Sequence, residues 1–195
     1  ADNASQARQL KLEAQQEFRA IVYGYMSRVR RGDAKLHFPS RQVFTQGVRP
    51  TAEELELIRL IAKPIQGMNR LAQISILQAL TSSPDACAAQ LENMARKGSF
   101  PGDVAAKFKA VVKGMPMSAK LQGVAALVDK LSRENPQNWR MVVFTQRRET
   151  QTTIQNYLEG LGHDIGIING ETTGKNQATI AAFKASPPRI HVIVS

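Results

Sequence analysis

The sequence lacks a second cysteine: Cys87 is the only one in 195 residues. No intrachain disulfide can form, and a reducing, cytoplasmic setting is expected, at the nucleoid if the source is bacterial. Cys87 sits in an alanine-rich helical stretch and reads as a small core residue. Long apolar runs are also missing. No stretch approaches the roughly 20 apolar residues of a membrane span, and the polar, helix-forming N-terminus carries no secretory signal pattern. The chain opens on Ala1, as expected of a processed or excised piece. Histidine is scarce: His37, His163 and His191 lie far apart, without metal-ligand spacing. No apolar run ends in paired acids, and Asp164 precedes its expected strand instead of following it. There is no nucleophile elbow and no pair of catalytic carboxylates. These absences leave the chain without a metal site of its own and without the parts for nucleotide hydrolysis. No internal repeat or low-complexity tract is present.

Acidic residues are also few. Sixteen Asp and Glu face 26 Lys and Arg, giving a formal net charge of +10 and a pI near 10.1. An excess of that sign favours a polyanionic partner. Nucleic acid is expected before a membrane surface, because no strongly basic amphipathic helix has a wide aromatic face. The apolar content of 43% is ordinary for a globular protein that buries a core.

Residues 5–31 read as one helix, with Phe18, Val22, Tyr25 and Val29 forming a stripe. Arg28, Arg30 and Arg31 crowd its last turn before Gly32-Asp33 ends it. The segment Arg41–Val48 alternates in character and is expected to form a strand joining the sheet. Thr51 is a good N-cap for the next helix, with Glu53, Glu54 and Glu56 following; Pro64 should kink or divide that helix. Leu71, Ile74 and Leu77 carry the apolar face on to Leu80. Ser83-Pro84 caps and opens another helix, ending at Gly98, and a further one spans about 103–114.

From Ser118 the pattern changes to helix 118–135, strand 140–145, helix 147–161, strand 165–168, helix 176–185 and strand 190–194. Strands alternating with helices imply a parallel sheet with right-handed crossovers. The apolar runs Met141–Phe144 and Ile190–Val194 suit strands covered on both faces. The expected fold class is α/β: a mainly helical section, 1–117, followed by a partial parallel sheet with flanking helices, 118–195.

In such sheets ligands bind beyond the C-terminal ends of the strands. The turn Thr145-Gln146-Arg147-Arg148 lies there and opens a helix, offering backbone donors, a hydroxyl, an amide and two guanidinium groups suited to phosphate oxygens. The simpler alternative is Thr145 as an ordinary N-cap beside two solvated arginines. After the second strand comes Asn169-Gly-Glu-Thr-Thr-Gly-Lys-Asn176. It is not a Walker A loop: that loop has four residues between its first glycine and Gly-Lys, then Ser or Thr. Here three residues separate Gly170 from Gly174, and Asn176 stands where the hydroxyl would be. The loop could still meet a phosphate backbone through the Gly170 amide, Thr172 and Lys175.

Taken in order, these segments resemble the second RecA-like lobe of superfamily 2 helicase-like ATPases, in the Swi/Snf branch of DNA translocases. Tyr25-Met-Ser-Arg-Val-Arg-Arg31 with Leu36-His-Phe-Pro39 is similar to that family's arginine-rich element and Leu-Pro segment. Leu77-Gln-Ala-Leu-Thr-Ser-Ser-Pro84 resembles its helical segment ending in a Ser-Pro pair, and Ser118-Ala-Lys120-Leu121 the entry to its second lobe. Val142-Val-Phe-Thr-Gln146 resembles motif IV, and Ile190–Ser195 the approach to motif V. The segment after Ile168-Asn-Gly170 usually ends in Arg in the family, whereas Lys175 or Asn176 stands near that place here.

The resemblance implies a motor that binds ATP and Mg²⁺ between two lobes and moves along duplex DNA. Thr145, Gln146, Arg147, Arg148, Gly170, Glu171, Thr172 and Lys175 would touch backbone phosphates, with Lys120 as a further candidate. It also implies that a first lobe with the Walker A lysine precedes this chain, and that the rest of motif V and the motif VI arginines follow it. On that expectation the chain is a fragment that binds no ATP or Mg²⁺ itself and does not hydrolyse ATP. The alternative is a non-enzymatic module that binds nucleic acid or protein through a degenerate RecA-like domain. A small-molecule α/β enzyme is the weakest reading, since nothing supplies a nucleophile, base or cofactor loop.

Overall fold

The computed structural model describes residues 12–26, 40–170 and 173–195. The chain divides into two compact units, Ala1–Thr45 and Gln46–Ser195. In the first, helix α1 spans Leu12–Tyr25, and Phe18, Ile21 and Tyr25 on it are exposed. The arginines expected in its last turn lie outside the described residues. Arg41–Val48 forms no strand, correcting the expectation above. All of its residues are exposed, so its alternation has no buried face to serve. Val48 instead rests its Cγ1 where a Cβ on Gly123 would come within 3.2 Å.

The second unit starts with four helices: α2 (Ala52–Gln66), α3 (Arg70–Ser82), α4 (Pro84–Arg96) and α5 (Gly102–Gly114). Local chemistry sets their ends. Thr51 and Glu54 form a reciprocal capping box, Thr51 N–H to Glu54 Oε2 at 2.8 Å and Glu54 N–H to Thr51 Oγ1 at 3.2 Å. Pro64 does not divide α2, which continues to Gln66. The proline falls in the last turn, where one missing N–H frees only one carbonyl, and the break comes at Gly67, with Asn69 capping α3. Ser83 caps α4 with Pro84 at its first position, as expected. Gly98 follows α4 in the left-handed region, φ 69°.

These helices bury Leu57, Ile61, Ile76, Leu91 and Phe108 completely or nearly so, with Cys87 among them. Each such side chain contributes roughly 1.5–3 kcal/mol of burial. This core draws only on residues from Leu57 to Met115.

A second core begins with α6 (Ala119–Glu134) and the α/β region: β1 (Met141–Val143), α7 (Arg148–Gly160), β2 (Ile165–Ile167), α8 (Thr173–Lys184) and β3 (Val192–Val194). The α/β class therefore stands. The sequence changes from helical to α/β at 117/118, where one core gives way to the other, while the boundary between compact units is at Thr45/Gln46. All strand pairings are parallel, and the order is β1-β3-β2.

In register, Met141, Val192 and Ile165 form one row, and Val143, Val194 and Ile167 another. Both rows join Leu121, Val128, Ile154 and Leu158 in the core on one face of the sheet. The row between them, Val142, Ile193 and Gly166, faces the other way. There α8 packs on β2 so closely that a Cβ on Gly166 would lie 2.5 Å from Thr179 Cγ2. Ile193 is buried, but Val142 is 42% exposed and Phe144, in phase with it, is 82% exposed. The expectation that both apolar runs are covered on both faces thus holds for β3 alone; β1 is an edge strand.

Arg140 precedes β1 and does not extend it. Its guanidinium donates to Phe183 O at 2.8 Å and Ala185 O at 2.7 Å, closing the end of α8. Trp139 is buried between two of the three histidines. The His191 ring stacks on it at 4.7 Å, with Nδ1 2.8 Å from Trp139 O, and His163 meets it edge-on at 5.9 Å.

Candidate functional site

The β1–α7 turn sits beyond the C-terminal end of β1, as the pattern predicts. Thr145 donates its N–H to Ser195 O at 2.7 Å, extending the β1–β3 pairing. Its hydroxyl accepts from Arg147 N–H at 3.4 Å. The N-cap of α7 is Arg147, not Thr145, and no side chain caps that helix. The alternative of Thr145 as an ordinary N-cap is thereby corrected: Thr145 stands two residues before the cap position.

Arg147 is half-buried, and its Nη2 donates to Ser75 O of α3 at 3.4 Å. Gln146 is exposed. Lys120, exposed in the first turn of α6, donates through Nζ to Thr81 O at the end of α3.

These groups line one open pocket of about 690 Å³. Its wall combines Lys120, Thr145, Gln146 and Arg147 with Gln78, Ser82, Ser83, Ser118, Thr150 and Thr153, and contains no Asp or Glu side chain. The N-cap residues of α4 (Ser83), α6 (Ser118) and α7 (Arg147) all lie on it. Helix N-termini carry partial positive charge, so both fixed dipoles and side chains bias the pocket toward anions.

At the back of the pocket the α3–α4 turn meets α7. Thr150 Oγ1 lies 2.8 Å from Ser82 Oγ and 2.8 Å from Ser83 Oγ. One turn on, Thr153 Oγ1 donates to Asp85 Oδ2 at 3.1 Å. Sequence reasoning read Ser82 and Ser83 as a helix stop and cap and passed over Thr150 and Thr153. Their three-residue spacing on one helix face, beside the apolar Ile154 and Leu158, was the available signal.

The remaining candidates are not gathered there. Arg148 is exposed at the start of α7, and neither Gly170 nor Lys175 lines the pocket. Glu171 and Thr172 lie outside the described residues. The expected loop Asn169–Asn176 is shorter than the sequence suggested, because α8 starts at Thr173 and takes Gly174 and Lys175 into its first turn. Asn176 Nδ2 donates back to Asn169 O at 3.2 Å, closing the connection early.

Cys87 is buried beside this region. Burial pushes its thiol up to about 12, against an opposing pull from the Arg147 guanidinium. It is an inert core thiol. Among the described residues, no group of three His, Cys, Asp or Glu is placed to hold a metal ion, and no helix is long and apolar enough to cross a membrane. No protein-family model, curated protein or solved structure matches this chain.

Proposed function

We propose that this chain is part of an ATP-dependent, helicase-like DNA translocase of the Swi/Snf type, contributing a partial RecA-like second lobe that grips the phosphate backbone. One observation carries this reading: Lys120 of α6 and the turn Thr145-Gln146-Arg147 after β1 line a single pocket with no Asp or Glu side chain on its wall. A net charge of +10 supports it, since it draws duplex DNA toward such a surface. Arg148 at the start of α7, and Gly170 and Lys175 beyond β2, extend the contact along the same edge of the sheet. Phosphate contacts of this kind hold without reading sequence, which suits a moving motor.

ATP and Mg²⁺ belong to the parent enzyme, between this lobe and a first lobe supplied by another part of it. The residues here do not fit a Mg–ATP site: hydroxyls, amides and cations line the pocket, and no acid is present to hold the metal. No catalytic step is assigned to them.

The test is fluorescence anisotropy of the chain with labelled duplexes of several sequences across a salt series. Binding should be weak and indifferent to sequence, and should fall steeply with salt as counterions are released. Arg147→Glu with Arg148→Glu should weaken it at least fivefold. Binding that ignores salt, or is unchanged in the double variant, overturns the reading. The chain alone should turn over no ATP.

A further inference from the structure

The resemblance assigns the turn after β1 a role, but it leaves the hydroxyl cluster facing that turn without one. Ser83 and Thr150 are each only 7% exposed, yet both line the pocket. Ser82, Ser83 and Thr150 carry three hydroxyl hydrogens between them. The two bonds that join them, each 2.8 Å, use two. Ser83 Oγ also accepts the Ala86 N–H at 3.1 Å, which consumes no hydroxyl hydrogen. One donor is therefore left over on the pocket wall, on whichever of the three hydroxyls donates to neither bond; Ser83 and Thr150 are buried and Ser82 is half-buried.

Other unused donors surround it. Lys120 commits one of its three ammonium hydrogens, to Thr81 O. Arg147 holds Ser75 O with one long bond at 3.4 Å. Three helix N-caps lie on the wall and no Asp or Glu side chain lines it, the Asp85 carboxylate being reached only through Thr153, so donors and positive potential outweigh acidic acceptors there. Its volume falls within the roughly 300–1,000 Å³ of ligand clefts.

We infer that Ser82, Ser83 and Thr150 form, with Lys120 and Arg147, a single composite binding site for phosphate groups, built jointly by the helical section and the α/β section. This deepens the reading above, on which it rests, by assigning two of the five contacts, Ser82 and Ser83, to the α3–α4 turn. The phosphate comes from a nucleic-acid backbone or from a free phosphorylated small molecule, and the same chemistry receives either.

The test uses inorganic pyrophosphate as probe, with titration calorimetry on the 195-residue chain and each variant's fold checked by its thermal melt. Lys120→Gln is the first variant, because that side chain is exposed and its loss leaves both cores intact. Thr150→Val removes the hub hydroxyl at nearly constant shape, and Thr150→Ser keeps it. Lys130→Gln, outside the pocket, is the control for lost charge. Saturable pyrophosphate binding, weakened at least fivefold by Lys120→Gln and Thr150→Val but not by Thr150→Ser or Lys130→Gln, is expected.

Competition then identifies the source. Displacement of labelled duplex by pyrophosphate places nucleic-acid backbone in the pocket. Pyrophosphate binding without displacement keeps the anion site, assigns it to a small phosphorylated ligand, and removes the pocket from the translocase reading. No saturable binding by a folded chain overturns the composite site, and duplex binding that persists would then leave the translocase reading standing.

Discussion

The two cores of the Gln46–Ser195 unit solve the same problem unequally. The helices α2–α5 meet face to face, and each stripe finds a partner within about fifty residues of chain. Phe108, Leu57 and Ile76 reach complete burial there. The sheet has two faces to cover and three strands to cover them with. Its α6–α7 face is packed, whereas α8 shields only β2 and the centre of the other face, leaving Val142 and Phe144 in solvent. A helical bundle can complete its core from neighbours in sequence, but a parallel sheet depends on elements that are distant or lie elsewhere.

The sharpest way to break that contrast is at its strongest point. Phe108→Ala should cost about 3–5 kcal/mol, the range for deleting a fully buried aromatic ring, measured by urea unfolding. A loss under about 1 kcal/mol would mean that the helical core is not the better packed of the two. Val194→Ala, in the central strand, should cost about 2 kcal/mol from lost methyls and the cavity left behind. Comparing circular dichroism with Trp139 fluorescence in that variant would show whether the sheet can melt while the helices persist.

Smaller still is the contribution of Cys87. Its folded-state pKa lies above the unfolded one, so its contribution to stability is fully present below pH 9 and is lost as pH rises from 9 towards about 12. Wild type should therefore lose more stability between pH 8 and pH 10 than Cys87→Ala does. Parallel pH profiles for the two would show that the thiol is not buried in the way described.

How much of this was legible in the sequence depends on distance along the chain. Thr51, Ser83-Pro84 and Ser118 marked helix starts, because a cap bonds its own first turn. The alternation of helix and strand after residue 117 announced a parallel sheet. The turn 145–148 was placed correctly, since it needs only a strand before it and a helix after it. By contrast, the apolar runs at β1 and β3 look alike, and nothing local says which takes the centre. The Ser82–Thr150 and Ser83–Thr150 bonds span 68 and 67 residues, beyond any periodic signal. Arg41–Val48 misled for a related reason: alternation favours a strand only where one of its faces is buried, and every residue of this segment is exposed.

The strand order has a consequence for synthesis. β1 and β2 do not pair with each other; each pairs only with β3, through Val192–Val194 and the flanking His191 and Ser195. As the chain leaves the ribosome, β1 emerges about 50 residues before its partner, a wait of roughly 3–10 s at 5–20 residues per second. During that interval the helices from 52 to 114 already have every residue of their own core and can condense, while two apolar strands remain unpaired. Chaperone binding to nascent chains should therefore peak once Ile165–Ile167 has emerged and fall when Val194 follows.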